Sequence, residues 1–263
     1  MIKIENTNVI GWEAAIRGMR NPMNSWDKSD SYSCTILEEI TENNCSYRCG
    51  GCKNEFVGRP NCTIIGENDH DLMTRLCNAG TDHRKFMRMI AVYVDITAPL
   101  YWWKEFDTYK IGTVANSCST MHKIADKEFE WDDFSFEHLI TPSKNRANII
   151  INDLNDYRDI YLNWDKQDDF IQKAFNYNKK QVWWQMIQLL PSSYNQRRTV
   201  MLNYEVLANI YKSRKNHKLD EWREFCEWIE NLPYSELIIN EITKSHENFT
   251  TPIMKRVDIH EKL

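Results

Sequence analysis

From Trp102 to His122 the chain reads Trp-Trp-Lys-Glu-Phe-Asp-Thr-Tyr-Lys-Ile-Gly-Thr-Val-Ala-Asn-Ser-Cys-Ser-Thr-Met-His, aromatic at its start and dense in short hydroxyl, amide and thiol groups at its end. A core segment has no use for so many hydrogen-bonding side chains beside tryptophans. A site for a planar, polar, phosphorylated ligand does, because rings fix its plane and short donors hold its periphery. Cys118 sharpens this: as a thiolate it would be a nucleophile, although a small thiol filling a serine-sized space is the preferred reading.

A second set of polar groups lies further on. Helical spacing over Val200 to Lys215 puts Asn209, Ser213 and His217 on one side at i, i+4 and i+8, with Arg214 adjacent. Arginine offers a fork of donors suited to phosphate or to a pyrimidine carbonyl edge. Taken alone, this row reads as a solvated face. No Ser-His-Asp array or paired carboxylate stands out, and His70, His122 and His138 are isolated, with no role assigned.

Eight cysteines in a chain without a secretory segment read as thiols or metal ligands, not disulfides. Cys34, Cys45, Cys49, Cys52 and Cys62 crowd into one Gly-containing polar stretch. Cys45-x3-Cys49-x2-Cys52 has the spacing of radical-SAM iron–sulfur ligation, but the alternating strands and helices of the matching barrel are absent. Zinc held by Cys45, Cys49, Cys52 and one of Cys34 or Cys62 is the better metal reading. Thiols without a metal are preferred to both, since paired CxxC units are missing.

The elements that must position these groups follow from periodicity. Ile2 to Met19 reads as a strand and a short helix, and Arg20 to Ile65 as a long loop or insertion. A helix from Asn68, its expected cap, runs to Gly80. Met87 to Ile96 reads as a strand covered on both faces. Pro99 starts a helix bearing Tyr101, Trp102, Trp103 and Phe106. The acidic aromatic run Phe129 to Phe134 reads as a loop packed by its own rings. From Ser143 onward the pattern is helical: around Ile149 to Tyr161, from Phe170 to Leu190 ended by Pro191, over Val200 to Lys215, and over Leu219 to Ile229. Trp183 and Trp184 read as core or subunit-interface residues. From Thr243 the tail is polar, an arm or a disordered end.

The bulk numbers bound the rest. The 263 residues, 42% hydrophobic and 12% aromatic, suffice for one substantial core. A net charge of −5 argues against a nucleic-acid or acidic-membrane binder. There is no run of ~18 apolar residues and no h-region at the N-terminus, so a cytoplasmic location is expected. The fold class expected is α/β (α+β): one domain, 1–263, with a small mixed sheet, long helices, a helical C-terminal half and a Cys-rich insertion at about 20–65.

With these residues in place a resemblance emerges. From Asn68 to Met121 the order is helix, Gly80 to His83, strand, Ala98-Pro99, Trp102-Trp103, then Thr108-Tyr109-Lys110, seven residues, and Cys118-Ser119-Thr120. This resembles the flavin-dependent thymidylate synthases (ThyX), whose fingerprint is Arg-His-Arg-x7-Ser-x-Arg. Leu190-Pro191, Thr199, Asn203, Leu207, Asn209, Arg214 and Trp222 continue it, so about two thirds of the chain is covered. Thr108, Tyr109 and Lys110 match the flavin-contacting triplet, of which only Lys110 keeps its charge. The resemblance implies that His83 and Asn209 also contact flavin, that Glu105, Asn116 and Ser117 hold the nucleotide, and that Arg214 binds the pyrimidine. Cys118 stands at the position of the serine, and Ser119 supplies a hydroxyl beside it. Thr120 stands where the family has a phosphate-binding arginine, and Arg197 or Arg198 is expected to replace that charge.

The activity implied is methylation of dUMP at C5 to dTMP, with methylenetetrahydrofolate as carbon donor and FAD reduced by NADPH, in a homotetramer whose sites lie where subunits meet. The alternatives are a non-catalytic nucleotide or flavin binder, an altered specificity such as pyrimidine hydroxymethylation, and a metal-stabilised interaction protein built on the cysteine insertion.

Overall fold

A computed structural model describes residues 1–33, 63–166 and 177–239. Cys34, Cys45, Cys49, Cys52 and Cys62, the start of the helix expected from Phe170, and the tail from Thr243 lie outside the described residues. Strand β1 (Lys3–Ile10) leads through Gly11 into helix α1 (Trp12–Arg20). Gly11 has φ +97°, and a Cβ there would stand 2.2 Å from the carbonyl oxygen of Met89, so only glycine makes this turn. Helix α1 buries Trp12, Ala15, Ile16 and Met19, the i, i+3, i+4, i+7 face of an amphipathic helix.

Two short strands, β2 (Tyr32–Ser33) and β3 (Thr63–Ile64), pair antiparallel. Helix α2 follows at Glu67–Asn78. Its cap is not Asn68 as expected but the distant Asp30, whose carboxylate accepts from the Asn68 and Asp69 backbone N–H groups at 2.9 and 3.1 Å. Asp69 is itself fully buried. Burial pushes its carboxyl up, but hydrogen bonds from Ser31, Ser29 and Arg20 outweigh this and hold it below the usual carboxylate range.

Strand β4 (Ala91–Pro99) begins four residues later than expected, because Lys85–Met89 form a 3-10 turn. Then come α3 (Leu100–Phe106), β5 (Val114–Ser117), α4 (Thr120–Lys123), α5 (Thr141–Leu162) and α6 (Lys179–Leu189). Strand β6 (Asn195–Asn203), α7 (Tyr204–Arg214), α8 (Asp220–Glu230) and α9 (Glu236–Ile239) complete the order.

The main sheet has the order β1-β4-β6-β5, antiparallel at every pairing where a mixed sheet was expected. Strand β6 corrects the helix expected from Val200. On its inner face only Val200 and Leu202 are apolar, while Gln196 and Arg198 occupy the other inward positions, so the period-2 signal is lost. The apolar residues 200, 202, 206 and 207 then mimic helical spacing.

Val92, Val94, Ile96 and Ala98 of β4, with Val200 and Leu202, are buried in a core shared with α1, α3, α7 and α8. The other sheet face is not covered by the described residues: Tyr93 is 42% exposed. The expectation that both faces of β4 are covered is thereby corrected, since an antiparallel sheet needs only one buried face. A second core joins Phe129, Phe134, Phe136, Ala147, Ile151, Leu154 and Met186. The acidic aromatic run is thus packed by its rings, as expected. Among the described residues no helix is long and apolar enough to cross a membrane, and no group of three or more His, Cys, Asp or Glu is placed to hold a metal ion.

Candidate functional site

The site is built on α3. Trp102, Trp103 and Phe106 are at most 1% exposed, and Trp102 meets the rings of Trp222 and Phe225 on α8 at 4.8 and 5.6 Å. Each such buried ring contributes about 2–3 kcal/mol, so the end of α3 is a rigid mount. Glu105 projects from it. Its Oε2 accepts from Arg214 Nη1 at 2.7 Å and from Trp222 Nε1 at 2.9 Å. His217 Nε2 lies 3.5 Å from the same oxygen. The backbone N–H of Leu219 donates to His217 Nδ1 at 3.2 Å, so in the neutral ring Nε2 carries the proton and faces Glu105.

Arg214, in the last turn of α7, also donates from Nε to the Tyr109 hydroxyl at 2.9 Å, and its guanidinium lies 4.8 Å from the Trp222 ring centre. Three elements therefore converge: the end of α3, the turn after it, and the α7–α8 junction. The turn after α3 thus touches the last turn of α7 through Tyr109 and Arg214. Its residues Thr108 and Lys110 are exposed, and Thr108 Oγ1 donates to the Glu105 carbonyl at 2.7 Å. Lys110 makes no ion pair among the described residues.

A second cluster forms where β6 carries polar residues inward. Arg198 lies over the Trp103 ring at 4.2 Å, donates from Nη1 to Asp107 at 2.7 Å and from Nε to Gln196 Oε1 at 3.0 Å. Gln196 Nε2 donates to the Cys118 carbonyl at 2.9 Å and to Thr120 Oγ1 at 3.4 Å. Cys118 and Ser119 are exposed, and Ser119 Oγ accepts from the His122 N–H, capping α4. Ser117 stands opposite Arg198 in the β5–β6 register.

The outer face of the sheet takes the rest. Asn116 stands opposite Thr199, and Arg197, next to Arg198, points the other way. Arg197 pairs with Asp95 at 2.8 Å. Hydrogen bonds from Thr199, Asn6 and Arg197 hold the Asp95 carboxyl down at about 2. His83 and Asn209 are exposed, His83 in the turn before β4 and Asn209 on α7. The structure thus joins Glu105, Tyr109 and Arg214, gathers Ser117, Cys118, Thr120 and Arg198 around Gln196, and separates Asn116 and Arg197 from both.

Four residues of these clusters were not singled out as site residues from the sequence: Asp107, Gln196, His217 and Trp222. Asp107 was signalled by its position two residues after Glu105, inside the stretch already marked. Gln196 was hidden because β6 was not recognised as a strand. Helical spacing puts His217 in a row with Asn209 and Ser213, whereas it lies past the end of α7 and turns back toward Glu105.

No protein-family model matches the chain, and no curated protein matches it. Solved structures do. A structure of the Helicobacter pylori thymidylate synthase ThyX with FAD and dUMP is 16% identical, with a TM-score of 0.54, over 92% of this chain and 100% of that one. Another of the same flavin-dependent enzyme, complexed with FAD and dUMP, gives 16% identity and a TM-score of 0.55, over 90% and 98%. This chain has the ThyX fold. At such identity a backbone path is kept while side chains differ, so the likeness shows the fold alone and any chemistry rests on the residues just described.

Proposed function

We propose that this protein is a flavin-dependent, thymidylate synthase-like enzyme that alkylates C5 of a pyrimidine deoxynucleotide of the dUMP type. The observation that carries the reading is Arg214 held by Glu105 and Tyr109 above the Trp222 ring. An arginine so fixed donates to the polar edge of a pyrimidine, at a carbonyl or at N3, and stabilises negative charge on the ring as the C5 proton leaves. Tyr109 and Glu105 keep the guanidinium from swinging away, so its orientation costs nothing at the moment of reaction.

The residues present fit a ring-bearing, anionic cofactor. Lys110 is an exposed cation without an ion pair among the described residues, and beside it Ile111 is 93% exposed and Val114 57%. Lys110, Thr108, Tyr109, His83 and Asn209 would hold FAD. Bound and reduced by NADPH, FAD supplies the hydride that completes the methyl group whose carbon comes from methylenetetrahydrofolate. On the protein side, Arg198 with Thr120 and the Cys118–Ser119 turn would take the nucleotide phosphate, and the Cys118 thiol fills space without forming a bond to the ring. The outer sheet face, bearing Ile10, Tyr93 and Val114, each more than 40% exposed, suits packing against further copies, in keeping with a homotetramer in the cytoplasm.

A second reading, binding without turnover, has its own support: Arg197, Arg198 and Arg214 each pair with a carboxylate of the same protomer. One experiment separates the two. Purified protein with flavin absorbance that releases tritium from C5-labelled dUMP or dCMP is a synthase-type enzyme. Flavin without release is a binder, and the absence of flavin overturns both.

A further inference from the structure

The Glu105–Arg214 pair has an unused edge. A carboxylate only accepts hydrogen bonds. Glu105 Oε2 faces Arg214 Nη1, Trp222 Nε1 and His217 Nε2, while no described residue donates to Oε1. The Glu105 side chain is 35% exposed, so Oε1 is held in orientation by its partner oxygen and open to a ligand. Arg214 spends Nε on Tyr109 and Nη1 on Glu105, and Nη2 has no partner among the described residues. In the planar guanidinium, the donor edges run from Nε to Nη2 and from Nη2 to Nη1. Nη2 therefore stands between Tyr109 and Glu105, and the site presents a free donor next to a free acceptor.

Ring chemistry decides what fits. Uracil offers carbonyl, N3–H and carbonyl in a row. With N3–H on Oε1 and one carbonyl on Nη2, the other carbonyl is driven toward the carboxylate, where two acceptors repel. Cytosine offers O2, N3 and an exocyclic N4 amine. Its amine donates to Oε1, its N3 accepts from Nη2, and its O2 falls on the Tyr109 side, away from the carboxylate. Acceptance of the cytosine N4 proton by a glutamate is the complementary pairing in base recognition generally.

We infer that the Glu105–Arg214 pair selects a 4-aminopyrimidine, so that a cytosine nucleotide is preferred to a uracil nucleotide. The inference rests on the pyrimidine-nucleotide reading above and names its substrate class.

The test is equilibrium titration of the flavin-loaded full chain with dCMP and dUMP, in wild type and in Glu105→Gln. Wild type should bind dCMP tighter on the order of tenfold or more. An amide at 105 offers its NH2 to a carbonyl, so in Glu105→Gln the ratio should collapse toward one or invert. A measurement on wild type alone guards against a misfolded variant: the N4,N4-dimethyl analogue of dCMP, which has no N4 donor, should lose the preference. Binding of dUMP as tightly as dCMP overturns the inference and leaves the pyrimidine site standing. A preference that survives Glu105→Gln, or the dimethyl analogue, overturns Glu105 as the reader. Binding of neither nucleotide overturns the inference and the reading beneath it together.

Discussion

Tyr109 and Arg214 are 105 residues apart in sequence, yet the arginine Nε donates to the tyrosine hydroxyl at 2.9 Å. That contact closes the turn after α3 onto the end of α7 and turns one edge of the guanidinium outward. The same arginine balances Glu105, so the orientation of each charge depends on the other.

Removing Arg214 should therefore cost twice. Arg214→Ala leaves the Glu105 carboxylate part-buried without its cation. For a pair 20% and 35% exposed the stability loss should be about 1–2 kcal/mol, between the values for surface and fully buried pairs. Thermal unfolding reads that loss, and nucleotide titration should show affinity falling at least tenfold. Arg214→Lys should restore part of the stability and little of the affinity, because an ammonium lacks the fork.

Arg197 and Arg198 should behave differently despite being neighbours. Arg198 faces the Cys118–Thr120 turn through Gln196, whereas Arg197 is spent on Asp95 on the outer face. Arg198→Ala should weaken nucleotide binding about tenfold, the worth of one charge-assisted contact, and Arg197→Ala should leave it within about twofold. Asp107→Asn, which frees Arg198, should tighten binding and steepen its salt dependence. Titrations at two ionic strengths check all three.

Asp95 sets a pH dependence whose sign is fixed by its depressed carboxyl, at about 2 against a usual 3.8. A group lowered in the folded state stabilises it above the unfolded value and loses that stabilisation as pH falls toward the folded value. Wild type should therefore exceed Asp95→Asn by a constant margin above pH 4, and the margin should vanish between pH 4 and 2. At so accessible a position the margin should be about 1 kcal/mol or less. Denaturant unfolding across that range measures it.

Two glycines should respond unequally to alanine. Gly11 and Gly80 both have positive φ, +97° and +106°, but a Cβ at Gly80 meets nothing within 4 Å while one at Gly11 collides with the Met89 carbonyl. Gly80→Ala should cost about 1 kcal/mol of backbone strain, and Gly11→Ala about 3 kcal/mol or more, since the turn between β1 and α1 must move away from the Met89 carbonyl. Chemical denaturation of both variants gives the comparison.

How far the sequence led follows from where its signals were strong. Helices α5 and α8 carried regular apolar spacing and stand where expected, while α6 keeps the end before Pro191 but starts at Lys179, where Asn178 caps it, and not at Phe170. The centre of the sheet was legible only by half: β4 alternates β-branched residues, but β6 spends Gln196 and Arg198 on its inner face to grip Trp103 and the Cys118 turn. These inward polar side chains broke the pattern that would have revealed the strand. For the same reason the candidate residues were found as types, not as a constellation. Nothing in a linear reading says that Arg197 and Arg198 serve opposite faces, or that His217 folds back beyond its helix to meet Glu105.

Asp30 and Ser31 reach across to Gly66, Asn68 and Asp69, and Tyr32 pairs with Ile64. Ser33 and Thr63, which flank the cysteine-bearing stretch, are thereby held side by side. Closure entropy grows only with the logarithm of length, so once Ser33 and Thr63 are paired the number of residues between them has little effect on the stability of the closure. A change in the length of chain between Ser33 and Thr63 therefore leaves Arg214 where Glu105 and Tyr109 hold it.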